Sequence, residues 1–341
     1  MKLKLLLKRG ALLAAANWQT VAIQFTAQTT FQVLLAVPII GAAILVAVLL
    51  GADLADLLQG GLREMVTTVA SALLSEPVAL VAFIVAFALV LLGGSVLMFT
   101  VKGGTMDVLR AANAATGPIE RSALRIDVLR GASAFSLERY MAGCTRLFRP
   151  YLMLGIALMV VYGVSIGGYL AFVVYAYRIA NGRLLLIGWT FIAAFAAIGL
   201  TLWITMVNLV YLLLQITIAI ENVNVRDAWR PASRFVRAEF RELVGVFVIV
   251  FGLVVAATLA SALAWSGVGL IAFVPLVGLA VFPLQLAALL VRGLVFEYLG
   301  LTALGAYLTL YQRYIAVRAI SESSASAQAR PNLDSATARP A

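Results

Sequence analysis

Apolar residues in this chain fall in long blocks rather than in the short alternations of a soluble fold. Uncharged or nearly uncharged stretches cover about 30–50, 78–101, 151–177, 184–220, 243–263 and 283–311. A helix of roughly 20 apolar residues crosses a hydrocarbon core about 30 Å thick, so each block predicts a membrane span. In lipid a single segment must bond its own backbone polar groups, and only a helix does so. The expected fold is all-α: a polytopic membrane helix bundle of about six transmembrane helices in one domain, 1–318. Pro275, Gly278 and Pro283 interrupt one further apolar stretch, which predicts a re-entrant or interfacial element at 269–282 and a sixth span starting at Pro283. Beyond it, 319–341 is rich in Ser, Ala and Pro with no apolar period, the composition of a disordered cytoplasmic tail.

Shorter amphipathic patterns lie between the blocks. Lys2, Lys4, Lys8 and Arg9 alternate with leucines before the first span, which predicts an uncleaved basic segment lying on the inner membrane surface. Leu54, Leu57, Leu58, Leu62, Met65, Val66, Val69, Leu73 and Leu74 recur at helical spacing and predict a helix on the outer surface. Two more such helices form a weak internal repeat at an offset of 88 residues: Ser136 matches Asn224, Arg146 matches Arg234, Arg149 matches Arg237, and a span follows each. Ser136 and Asn224 are natural N-caps. The first helix carries Leu137, Tyr140, Met141, Cys144, Leu147, Phe148 and Tyr151 on one face, and the second carries Val225, Ala228, Trp229, Ala232, Phe235, Val236 and Phe240. Both are expected to lie along the inner leaflet, apolar side down. Arg139, Arg146, Arg149, Arg226, Arg230, Arg234 and Arg237 would then face lipid phosphates as headgroup contacts. The plainer alternative is that these arginines only fix topology and solvate a helix face.

The run Asn224-Val225-Arg226-Asp227-Ala228-Trp229-Arg230, a capped basic helix leading into a span and repeated in a six-span chain, resembles a family. It looks like bacterial membrane proteins of unknown function related to the membrane domain fused to some glycerophosphodiester phosphodiesterases. The resemblance covers roughly 102–318 and implies an architecture only. No soluble phosphodiesterase domain accompanies it here, so that activity does not carry over.

Composition agrees with the block pattern: of 341 residues 63% are hydrophobic and only 12% charged, where a soluble domain has about 25% charged. A net charge of +10 could suggest nucleic acid, but the charges sit in loops beside the spans, so no nucleic-acid partner is expected. Of 25 Lys and Arg, 21 fall at the N-terminus, in 102–150, in 221–242 and in the tail, whereas the alternate loops hold Arg63, Arg178 and Arg183. By the positive-inside rule this predicts a multi-pass protein of the cell inner membrane with both termini cytoplasmic. A single cysteine, Cys144, permits no internal disulfide, and the absence of histidine removes the commonest zinc ligand and general base. No P-loop, nucleophile elbow or Cys pair is present, and Gly103-Gly104 reads as a turn ending span two. No catalytic, metal or cofactor site is implied.

Polar residues at bilayer depth are costly and face protein or water. Arg292 and Glu297 stand out, but five residues turn a helix about 140°, too far for an ideal pair. Their partners are sought on neighbouring spans, where Asn208 and Gln215 are candidates, and Gln285 completes the polar set. Gly163 and Gly167, with the small residues Ala256, Ala257, Ala260 and Ser261, suggest faces for close helix approach. The leading expectation is a non-catalytic scaffold or accessory protein that engages anionic inner-leaflet lipids or a membrane-protein partner. The alternative is a small transporter or lipid-handling protein with a cavity near Arg292 and Glu297.

Overall fold

The computed structural model describes residues 3–50, 77–122, 125–179, 183–272 and 277–336. Over them the chain forms nine α-helices and one 3-10 turn: α1 (Leu3–Ala16), α2 (Trp18–Leu50), α3 (Pro77–Ala115), the turn Ile119–Arg121, α4 (Ile126–Ala132), α5 (Leu137–Ile179), α6 (Arg183–Glu221), α7 (Val225–Ala238), α8 (Phe240–Ala272) and α9 (Val277–Ala336). Six contain segments long and apolar enough to cross a membrane: Trp18–Gly41, Leu80–Ala115, Leu137–Tyr175, Ile187–Glu221, Phe240–Ala264 and Pro283–Ser324. The fold is an all-α polytopic helix bundle. At most 17% of the most apolar window of any of the six is buried inside the chain, so most of that surface needs hydrocarbon as its solvent.

The tightly packed core sits at the basic end of the bundle. Leu6 and Leu13 of α1, Leu109 of α3, Tyr151 of α5, Ile216 of α6, Phe235 of α7 and Tyr311 of α9 are all fully buried there in one cluster. Phe235 meets Tyr311 edge to face, ring centroids 4.9 Å apart, a favoured aromatic geometry. Small residues let the helices approach. A Cβ at Gly10 of α1 would collide with the backbone of α9 at Thr302 and Ala306, and Gly103, Gly104 and Gly143 play the same part where α3 crosses α5. Farther along, phenylalanines sit on glycines of neighbouring helices: Phe31 on Gly94, Phe99 on Gly155 and Phe25 on Gly293.

Several sequence expectations are corrected. The N-terminal basic segment is not a surface helix: Leu6, Gly10, Leu13 and Ala14 line one face of α1 and are buried against α9. Gly103-Gly104 is no turn, because α3 runs unbroken to Ala115, and its two glycines are spent on the contact with α5. The first repeat helix does not lie along the membrane but is continuous with its span in α5, and Pro150 inside that helix does not end it. The second does form a separate helix. Asn222 takes a left-handed φ of 54° after α6, a recognised way to terminate a helix, and Glu239 leaves helical geometry between α7 and α8. Of the expected re-entrant or interfacial element at 269–282, residues 273–276 lie outside the described residues; α8 continues to Ala272, α9 starts at Val277, and the sixth candidate span starts at Pro283. A proline within a membrane helix is tolerated when neighbours satisfy the freed carbonyl. Likewise α9 remains helical to Ala336, where composition suggested a disordered tail. Ser321, Ser323 and Ser324 return hydrogen bonds to carbonyls three or four residues back, and Arg318 pairs with Glu322 one turn on. The predicted outer-surface helix at 54–74 lies outside the described residues.

Gly163 and Gly167 have open space where a Cβ would stand, so they form no helix crossing within the chain. Replacing Gly10 by leucine should destabilise the protein by about 1–3 kcal/mol through overpacking, whereas Gly163→Ala should be neutral or slightly stabilising. Melting temperatures of the detergent-solubilised variants check both, and a Gly10→Leu protein as stable as wild type would contradict the α1–α9 contact.

Candidate functional site

Three polar assemblies fix the basic end. In the first, Arg9 of α1 spends all five N–H donors: Nε on Asn113 Oδ1 (2.7 Å), Nη1 on Gly117 O and Glu120 Oε2 (both 2.9 Å), and Nη2 on Asn113 O (3.1 Å) and Thr116 O (3.0 Å). Those carbonyls are at or just past the C-terminus of α3, where a cation is favoured. Asn113 passes the network on, donating to Gln312 Oε1 (2.6 Å) and accepting from Thr309 Oγ1 (3.1 Å) on α9. In the second, the fully buried Asn17 between α1 and α2 donates to Leu13 O (2.9 Å) and accepts from Ala134 N (2.9 Å). In the third, Asp107 of α3 accepts from Arg146 (2.7 Å) and from Arg110 (3.0 Å).

The intramembrane candidates separate. Glu297 on α9 has as its charge neighbour Lys102 of α3, which also lies 5.1 Å from the centroid of the Tyr211 ring. Sequence reasoning missed Lys102 by assigning it to a loop, whereas seven buried residues, Gly103 to Leu109, follow it in the helix. Arg292 is exposed and stacks over Phe296 of its own helix at 5.7 Å. Among the described residues it makes no ion pair with Glu297. Asn208 is exposed and accepts from Tyr162 of α5, while Gln285 is half-exposed near the start of the sixth span. Gln215 is buried. Its carbonyl accepts from Tyr151 (2.9 Å), but its side-chain nitrogen has no protein partner. Neither does the buried hydroxyl of Tyr211 on α6, whereas the hydroxyls of Thr105 and Thr302 pair with Tyr140 and Tyr298.

The headgroup candidates also divide. Arg146 is committed to Asp107, and Arg139 donates to Ala134 O (2.6 Å). Arg226, Arg230, Arg234 and Arg237 of α7 are all exposed, because Ala228, Pro231, Ala232 and Phe235 turn inward to the bundle core. The apolar face of α7 therefore meets protein rather than lipid, and Trp229, 58% exposed, is left at its flank. Arg149 and Arg226 come together from α5 and α7 in a pocket of about 450 Å³ with Pro150, Met153, Asn224 and Val225. Val225 and Trp229 also border an apolar groove of about 520 Å³ between α5 and α6, walled by Leu158, Val161, Trp203 and Val210. It was not legible in sequence, being assembled from three segments.

Comparison of the chain with protein-family models, with curated proteins and with solved structures finds no match.

Arg9→Gln should cost about 3–5 kcal/mol, since it leaves the Glu120 carboxylate, 5% exposed, without its cation. Arg9→Lys should recover only part, because an ammonium cannot reproduce the planar five-donor fork. Thermal unfolding of both variants in detergent checks the order, and an Arg9→Lys protein equal to wild type would discount the fork.

Proposed function

We propose that this protein is a membrane scaffold or accessory protein whose basic end faces the cytoplasm and whose α7 arginine surface engages anionic lipid of the inner leaflet. The observation that carries the reading is the division of labour on α7: its apolar residues are used up inside the bundle, while Arg226, Arg230, Arg234 and Arg237 remain exposed beside the spans. Each such arginine near an anionic surface contributes about 1 kcal/mol of attraction. The concentration of 21 of the 25 Lys and Arg in alternate loops supports the same orientation, in a bacterial-type inner membrane with both termini inside. Likeness to the phosphodiesterase-fused membrane domain remains a proposal about architecture alone. Replacing the four arginines by Gln should lower retention of anionic lipid at least tenfold in native mass spectrometry. Undiminished retention in a folded protein would sink the reading.

A second reading, transport or lipid handling through the bundle interior, is favoured by one observation. Lys102 is the charge neighbour of Glu297 and lies over the ring of Tyr211, whose buried hydroxyl has no hydrogen-bond partner among the described residues, and buried polar groups without partners are costly in lipid unless water or a ligand satisfies them. On this reading Glu297→Gln should abolish a cellular phenotype of the gene while the protein inserts and accumulates normally. A fully active Glu297→Gln protein would exclude it.

A further inference from the structure

The groove between α5 and α6 and the arginine pocket beside it share the wall residue Val225. We infer that together they form a site for one phospholipid, with the phosphate of an anionic headgroup held by Arg149 and Arg226 and one acyl chain lying along Leu158, Val161, Trp203 and Val210. The inference rests on the proposed engagement of anionic lipid and gives it an address.

Two cations from different helices converge on the pocket, both exposed, and neither has an ion-pair partner among the described residues. This distinguishes them from Arg146, whose guanidinium is held by Asp107. Arginine forks match phosphate oxygens in a planar, bidentate way. The pocket also opens on the N-terminus of α7, a helix of 14 residues, where the Asn224 side chain makes no cap hydrogen bond. First-turn N–H groups there are oriented to favour an anion. Asp227, also in that turn, opposes this in part, which leaves the arginine pair as the main source of attraction.

The groove has the right dimensions and direction. From Arg149 to Val161 along α5 is 12 residues, or about 18 Å at about 1.5 Å per residue, close to one leaflet of a hydrocarbon core about 30 Å thick. The groove begins beside the arginines and runs away from the basic end, as a chain hanging from a bound headgroup would. Its volume of about 520 Å³ lies inside the range of about 300–1,000 Å³ for ligand pockets. Trp229 borders the groove alongside Val225, and tryptophan favours the boundary between chain and headgroup.

An acyl chain gains no hydrophobic free energy by leaving lipid for this groove, since bulk tails are equally apolar. The groove therefore contributes shape and packing, and discrimination among lipids falls to the arginines. Free phosphate shares the headgroup chemistry but would ignore the groove. A hydrophobic helix from a partner protein would fill the groove but ignore the arginines.

The full chain in phosphatidylcholine nanodiscs titrated with palmitoyl-oleoyl phosphatidylglycerol provides the test, with bound lipid counted by native mass spectrometry. Wild type is expected to retain one phosphatidylglycerol saturably. The R149Q/R226Q double variant should bind it at least tenfold more weakly, and V161F or V210F, which fill the groove without touching charge, should weaken it severalfold. Saturable binding unchanged in both classes of variant overturns the site. If overall preference for anionic over zwitterionic lipid survives in that case, the functional reading stands without this address; if the preference is also absent, both fall. Displacement of the lipid by millimolar inorganic phosphate, with V210F binding phosphate as well as wild type, would assign the pocket to a free anion instead. A co-purifying peptide cross-linked at position 203 in place of lipid would also overturn the proposal.

Discussion

The arrangement depends on one side chain, Arg9. Its five donors tie the N-terminal helix to the end of α3 and to Glu120, and through Asn113 to Thr309 and Gln312 of α9. First, third and ninth helices, far apart in sequence, are thereby fixed at one level. A buried guanidinium is tolerated only when every donor and the compensating carboxylate are in place, so the network also specifies its own geometry. Gly10, the next residue, gives α1 the close approach to α9 that brings Arg9 within reach.

With the basic end fixed in this way, the remaining length of the spans has little need of an internal core. Lipid tails are as apolar as leucine, so helices in a bilayer are not driven together by the hydrophobic effect, and small residues and aromatic-on-glycine contacts suffice to hold them. This accounts for spans whose apolar windows are scarcely buried, held by contacts such as Phe31 on Gly94 and Phe99 on Gly155. It also accounts for an apolar groove left unfilled between α5 and α6.

Sequence reading succeeded where the signal is additive along the chain and failed where it depends on tertiary partners. Six spans follow from runs of apolar residues, and the N-termini of α5 and α7 from Ser136 and Asn224. Ser136 caps α5 through its hydroxyl, accepting from Arg139 N at 3.2 Å. The first span starts at Trp18, earlier than the uncharged block at about 30–50, because glutamines and threonines dilute the apolar signal over its first turns. An amphipathic stripe says that one face is apolar but not whether protein or lipid will cover it, and on that ambiguity α1 and α7 were both assigned to the membrane surface. Lys102 was placed in a loop by its charge, although the helix around it continues for thirteen residues more. Of the seven arginines marked for lipid, only contacts distinguish Arg146, spent on Asp107, from Arg149, which three residues away has no ion-pair partner among the described residues and lines a pocket.

The same logic explains why the two halves of the weak repeat serve different ends. After Ser136 the chain reaches its span without a break, so Arg146 of that helix lies against α3, where Asp107 neutralises it. After Asn224, the interruption at Glu239 frees α7 to turn its Ala228, Ala232 and Phe235 face into the bundle core, where Phe235 meets Tyr311 and Tyr314 of α9. Once that face is buried, a helix with four arginines, at 226, 230, 234 and 237, has only its charged side left to offer. A uniformly basic loop would meet the topology rule equally well. What topology does not require is that one of those arginines converge with Arg149 from another helix beside an apolar groove, and it is on that convergence that the proposed lipid site rests.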